Sequence, residues 1–346
     1  MNFTIGQATL AEALNNLVRN TNDKFQAYQN IQIEVINENQ IRLSAQNEIN
    51  KLEYTIEARN ASGECIMVNA KRFTDIINKL KDIITLHDNV IMCEKTKIKI
   101  DYTTEKLITP VEITEEHSEI NLSKFKNTVK NRLYAVLKDN EYRNVITNMF
   151  VNDGEIAATD GNVLSVGTLE TPVYKSFLLS QSLAKEIITD FKDDETVNIT
   201  VDDGKKVIIW NNKLKIESKL QTGEYPQYNQ LIPQPAETIK INKNELINKL
   251  EIMSIVVEFT KPQIKLIFCN NELTLEHKDG KTVVNIENYS RDEAFEIYFN
   301  IFYLISALKS SNGDFVEVQL GKDALSAIVI KTADDRHVIM PVQVRA

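Results

Sequence analysis

Residues Asn69-Ala70-Lys71-Arg72-Phe73-Thr74-Asp75-Ile76-Ile77-Asn78-Lys79-Leu80 set Phe73, Ile76, Ile77 and Leu80 at the i, i+3, i+4, i+7 spacing of one buried helical face. The pattern returns twice. Ser180 to Phe191 places Leu183, Ala184, Ile187, Ile188 and Phe191 in the same way, with Ser180 as N-cap. Asn300 to Leu308 does likewise, with Asn300 as the cap. Each of these helices follows another about 60 residues earlier. The earlier helices are predicted over Thr9 to Arg19, Ser123 to Leu137 and Asn242 to Met253. Unit to unit the spacing is roughly 115 to 120 residues, so the chain repeats itself three times.

Between the helices the apolar period drops to two, as half-buried strands require. Examples are Ile31 to Val35, Lys97 to Ile100, Leu214 to Glu217, Leu273 to Glu276 and Val316 to Leu320. Asp153-Gly154, Asp203-Gly204 and Asp279-Gly280 mark tight turns. The expected fold class is α+β: three similar domains, each with two helices packed on antiparallel sheets. Their boundaries are 1–116, 117–234 and 235–346. Sheet edges ask for partners, so three such units pairing with a second copy edge to edge would close six domains into a ring.

The chain is 346 residues long, 42% hydrophobic and 26% charged, as a folded soluble protein is. Its longest clean apolar run, near Ile301 to Leu308, falls short of the ~18 residues of a membrane span. The opening Met-Asn-Phe-Thr-Ile-Gly-Gln lacks a basic stretch followed by an apolar block, and Cys65, Cys93 and Cys269 are widely spaced. Both features predict a cytoplasmic protein without a disulfide framework or structural zinc.

Nothing in the sequence builds an enzyme. His87, His117, His277 and His337 form no HxxxH or HExxH pattern. Gly280-Lys281-Thr282 has the GKT of a phosphate loop, but Leu275 stands where that loop needs glycine, and the segment joins two strands. Asn152-Asp153-Gly154 and Thr159 to Asn162 lack calcium-loop spacing. No catalytic residue, metal or cofactor is expected.

The net charge of −9 argues against DNA binding by bulk attraction, yet the cations are clustered. Ser123 to Lys138 carries Lys124, Lys126, Lys130, Arg132 and Lys138 and no acid. Lys124 and Lys138 are predicted to point away from the apolar face, with Lys130 and Arg132 flanking it. Lys71, Arg72, Lys79 and Lys81 sit on the second helix of the first unit, and Lys243 and Lys249 on the first helix of the third. Helices gathered on one surface would form a positive lining that touches phosphates without reading bases.

Five stretches resemble the bacterial β sliding clamp family. They are Met1 to Ile5, Val68 to Leu80, Ala158-Thr159-Asp160-Gly161-Asn162-Val163-Leu164, Gly223 to Tyr228 with Leu231-Ile232-Pro233, and Val338-Ile339-Met340-Pro341-Val342. The resemblance implies a head-to-tail homodimer around duplex DNA. It would tether the replicative polymerase, the clamp loader and other partners by short peptides, with no catalysis and no membrane. The peptide pocket it implies takes Ile146, Thr159, Gly161, Asn162, Val163 and Leu164, then Pro226, Gln230 and Leu231, from the second unit and its exit. Asn300, Tyr303, Leu325 and Ala327, then Met340, Pro341 and Val342, come from the third. Inner-face DNA contacts fall on Lys24, Lys71, Arg72, Lys124, Lys130, Lys138 and Arg143. The dimer interface is expected between a strand edge near Leu107 and Ile108 and the stretch around Ile255 and Val256.

Asn162-Val163 replaces the family's His-Arg, and Gln230 a common basic residue, so the pocket would be less positive. Two other readings follow from the same residues. One is a monomeric peptide-binding adaptor that kept the clamp fold; the other is a hydrolase or nucleotide-handling enzyme, for which a clustered catalytic set in a cleft would be needed.

Overall fold

The computed structural model describes residues 1–22, 24–25, 28–114, 116–138, 141–192, 196–202 and 204–343. Asp203 of the expected Asp203-Gly204 turn and residues 344–346 lie outside that set. Six α-helices stand among the described residues: α1 (Gln7–Arg19), α2 (Ala70–Lys79), α3 (Leu122–Lys130), α4 (Gln181–Asp190), α5 (Lys243–Val256) and α6 (Ile301–Lys309). Side chains start several of them. The Oδ1 atoms of Asn69, Asn242 and Asn300 accept from the N–H groups of Arg72, Glu245 and Phe302, and Ser180 Oγ accepts from Leu183.

The chain forms two compact units. The first comprises residues 1–122 and 189–220. Its nine-stranded sheet orders the strands Tyr102–Thr103, Ile66–Asn69, Asn30–Asn37, Gln40–Gln46, Asn50–Glu57, Leu214–Lys219, Lys206–Trp210, Thr196–Asp202 and Ser118–Asn121. A five-stranded sheet ends in Thr96–Lys99. Leu10, Ala13, Leu14 and Leu17 of α1 and Phe73 and Ile77 of α2 are buried, as the helical spacing requires. Asn15 and Asn78 exchange amide hydrogen bonds across the two helices.

The second unit comprises residues 123–188 and 221–346. One twelve-stranded sheet runs through it, with Asn148–Asn152, Glu155–Thr159 and Val163–Thr168 followed by Asp335–Ile339, Ile328–Lys331 and Phe315–Leu320. The units therefore do not follow the repeat boundaries. Sheets cross both boundaries, through Asn50–Glu57 against Leu214–Lys219 and Val163–Thr168 against Asp335–Ile339. The GKT segment is a hairpin: His277 faces Gly280 across the two residues Lys278 and Asp279.

Two sequence expectations need correction. The helix predicted over Ser123 to Leu137 ends at Lys130 and gives way to a tighter turn over Leu133–Ala135. Arg132 N–H turns to Val129 O and Ala135 N–H to Arg132 O, which swings the Arg132 side chain inward. The edge near Leu107 and Ile108 is not a strand. The Gln32 side-chain amide brackets Ile108, donating to its carbonyl at 2.9 Å and accepting from its N–H at 3.0 Å. Ile108 is only 2% exposed and has no surface to offer a partner, whereas Leu107 is exposed.

Candidate functional site

Thr159 to Val163 forms a tight turn at the end of strand Glu155–Thr159. Thr159 Oγ1 donates to Val163 O at 2.7 Å and accepts from Gly161 N–H. Asp160 Oδ1 accepts from the N–H groups of Asn162 and Val163. Gly161 sits at φ +95°, a conformation that side chains rarely adopt. The other Asp160 oxygen accepts from Tyr303 Oη at 2.5 Å, fastening the turn to α6. Burial first, then the Asp160 carboxylate, pushes the Tyr303 phenol up to about 12, so it stays a neutral donor at physiological pH.

The chain end strengthens the same corner. Met340 N–H donates to Asn162 O and Val342 N–H to Tyr298 O. Below the turn, Leu164 and Ala327 share one apolar cluster with Ala157, Val166, Tyr228, Val329 and Val338, against which Phe150, Tyr225 and Ile232 pack. Phe150 and Tyr225 stack with ring centres 5.2 Å apart. Around this floor Leu231, Leu325 and Met340 remain exposed, Met340 by 48%. A buried apolar floor with exposed leucine and methionine at its rim suits an extended peptide with large apolar anchors.

The structure thus brings Thr159, Gly161, Asn162, Val163, Tyr303 and Met340 into one hydrogen-bonded corner, with Leu164 and Ala327 beneath. Asn300 supports it by capping α6. Pro226 O accepts from Tyr228 N–H and so helps seat the Tyr228 ring in the floor. Three residues play other parts. Gln230 turns its amide to Gln227 at 2.6 Å. Ile146 is buried, its carbonyl taking Leu137 N–H. Val163 is buried in the strand pair rather than presented at the rim.

Sequence reasoning missed the polar layer behind the corner. Arg132 is 1% exposed and donates to Thr128 O, to Val166 O and to the Asp335 carboxylate. Asp335 also accepts from Asn312 and Thr332. Its sequence neighbours pair too: Asp334 with Lys124 at 2.5 Å and Arg336 with Glu155. His337 is fully buried, with Nδ1 2.9 Å from both Tyr134 Oη and Ser165 Oγ. Desolvation first, then the Arg132 charge, pushes its pKa down to about 3, so it is neutral. The run Asp334-Asp335-Arg336-His337 was the only signal: four polar residues leading into a strand, Asp335–Ile339, whose Asp335 and His337 are buried.

The expected inner-face cations divide. Lys24, Lys71, Lys130 and Lys138 are exposed, and Arg72 is exposed while pairing with Asp101 at 3.3 Å. Lys124 does not point freely outward, because it is held by Asp334. Arg143 belongs with the pocket turn, its Nη1 lying 3.4 Å from where a Cβ on Gly161 would stand. At the expected interface Ile255 is 82% exposed on the last turn of α5, with Val256, Ile252 and Phe259 also exposed.

A separate groove of about 660 Å³ lies over the Lys240, Phe315 and Lys331 face of unit two, with the Lys240 ammonium 4.4 Å from the Phe315 ring centre. Its lysines, Glu317 and Asp334 converge on no one ligand. Among the described residues no group of His, Cys, Asp and Glu side chains is placed to hold a metal, and no helix is long and apolar enough to cross a membrane.

Known structures share this fold. A Pseudomonas aeruginosa DNA polymerase sliding clamp superposes with a TM-score of 0.89 at 19% identity, covering 99% of this chain and all of that one. A Helicobacter pylori beta clamp bound to DNA ligase peptide gives 0.87 at 22% identity, with 99% and 100% covered. This is the sliding-clamp fold. Sequence relatives agree. The beta sliding clamp of Rickettsia felis is 27% identical over 352 residues, covering 92% of each chain, and that of Synechococcus elongatus 25% over 311 residues, covering 81% and 82%. Residues 229–343 match the family described as DNA polymerase III beta subunit, C-terminal domain. The resemblance to bacterial β sliding clamps drawn from motifs therefore extends along nearly the whole clamp-fold chain.

Proposed function

We propose that this chain is a non-catalytic, cytoplasmic DNA sliding clamp, a processivity factor of three domains (1–116, 117–234 and 235–346). Two copies close around duplex DNA and tether the replicative polymerase, the clamp loader and other partners at the corner formed by Thr159 to Leu164, Tyr303 and Met340.

The strand-pairing rule inside the chain carries this reading. Strand Asn50–Glu57 of the first repeat pairs antiparallel with Leu214–Lys219, the last strand of the second. Strand Val163–Thr168 of the second pairs with Asp335–Ile339, the last strand of the third. The equivalent strand of the third repeat is Gly280–Glu287. Among the described residues its Gly280 to Asn285 stretch pairs on one side alone, and Thr96–Lys99, the third strand after α2 as Leu214–Lys219 is after α4 and Asp335–Ile339 after α6, pairs only with Val90–Cys93. The rule is completed when Gly280–Glu287 of one copy meets Thr96–Lys99 of another, twice, in a head-to-tail dimer. The exposed Ile252, Ile255 and Phe259 would be covered at that joint. A closed ring holds DNA by topology, so a few mobile contacts from Lys24, Lys71, Arg72, Lys130 and Lys138 suffice in a protein of charge −9.

Primer extension tests the function. Added to a polymerase and loader from its own source, the chain should lengthen the product of one binding event many-fold, and Leu164→Ala with Met340→Ala should abolish the gain. Unchanged product length with the wild-type chain would point to the monomeric adaptor.

A further inference from the structure

The register between Val163–Thr168 and Asp335–Ile339 is not set by the apolar pattern. Val163, Leu164, Ser165, Val166 and Gly167 are all buried, as are Asp335, His337, Val338 and Ile339 opposite them. A half-buried strand resists a one-residue slip because the slip would carry apolar side chains into water; a strand buried on both faces lacks that penalty. Here Val163 faces Ile339 and Leu164 faces Val338, and a one-residue slip that set Val163 against Met340 and Leu164 against Ile339 would still match apolar with apolar. The polar groups do discriminate. Ser165 faces His337 and bonds to it. Gly167 faces Asp335, and the Arg132 guanidinium fills the space that a Gly167 Cβ would occupy, 1.9 Å from Nη2.

We propose that Arg132 is a positioning residue for the peptide pocket: its buried pair with Asp335 over Gly167, with the Ser165–His337 bond, locks this strand register. The inference rests on the pocket reading, because the two strands run directly into its walls. Val163 ends the Thr159–Val163 turn, and Ile339 leads into Met340, whose N–H meets Asn162 O. A one-residue slip breaks that bond and turns Val338 and Ile339 to opposite faces. Ion pairs kept for specificity rather than stability behave in this way.

The test uses the full chain with Arg132→Met and Asp335→Leu combined, since replacing both partners leaves no uncompensated buried charge. Thermal midpoint and solution mass should stay near wild type. A fluorescein-labelled hexapeptide with leucine and phenylalanine anchors should bind about tenfold more weakly, as when about a tenth of the chains keep the competent register. With valines labelled by ¹⁵N, Val163, Val166 and Val338 should each show a second amide signal. Ser165→Ala, a milder change that keeps the ion pair, should show the same second set at lower intensity. A single set of signals in both variants overturns the proposal, whether or not affinity falls. If the wild-type chain fails to bind the peptide, the pocket reading falls, and the valine signals alone decide the register lock.

Discussion

His337 shows how one buried side chain ties stability to pH. It is neutral in the folded chain with a pKa near 3, against about 6.5 for a free histidine. Between those values the unfolded chain takes up a proton that the folded one refuses. Stability is therefore fully present above about pH 6.5 and falls as the pH drops towards 3, by up to about 1.4 kcal/mol per pH unit. Urea unfolding at pH 7 and pH 5 should show this loss, and His337→Phe should flatten it. An equally steep loss in the variant would place the acid sensitivity elsewhere. Its neighbour Arg132 makes a different prediction. Arg132→Met alone strands the Asp335 carboxylate in the interior and should cost about 3–5 kcal/mol. Denaturant unfolding checks it; a cost under 1 kcal/mol would mean that Asp335 finds water.

Elements carry the next level. The last turn of α5 exposes Ile255 and Val256, and Ile252 and Phe259 nearby in the sequence are exposed as well. Ile255→Lys should shift the solution mass from twice 39.5 kDa towards the single chain at micromolar concentration. Sedimentation decides it, and an unchanged dimer would move the interface elsewhere. At this scale the sequence was largely legible. Helical spacing and capping residues located α2, α4 and α6 nearly to the residue, because Asn69, Ser180 and Asn300 act as local signals. The end of α3 was not legible. Neither glycine nor proline stops it; a long-range demand does, the burial of Arg132 against Asp335. The Leu107–Ile108 error has the same origin, since the Gln32 amide takes the place of a ladder that local sequence cannot reveal. The residues proposed for the pocket, such as Leu164 and Met340, were reachable only by resemblance. What gathers them is strand pairing between residues more than a hundred positions apart.

At the scale of the molecule, threefold repetition is the organising fact. Each internal joint pairs a strand of one repeat with the last strand of the next, and the remaining pair of edges asks for a second copy. Acidic charge, exposed lysines and an apolar corner all suit the proposed ring, which would hold DNA without gripping it and offer partners a small, adaptable dock. The most direct measurement loads the protein on a nicked circular plasmid with a clamp loader and then linearises the circle. A closed ring should be retained on the circle and lost rapidly from the linear form, at salt concentrations that abolish simple phosphate contacts. Equal, salt-sensitive binding to both forms would contradict it.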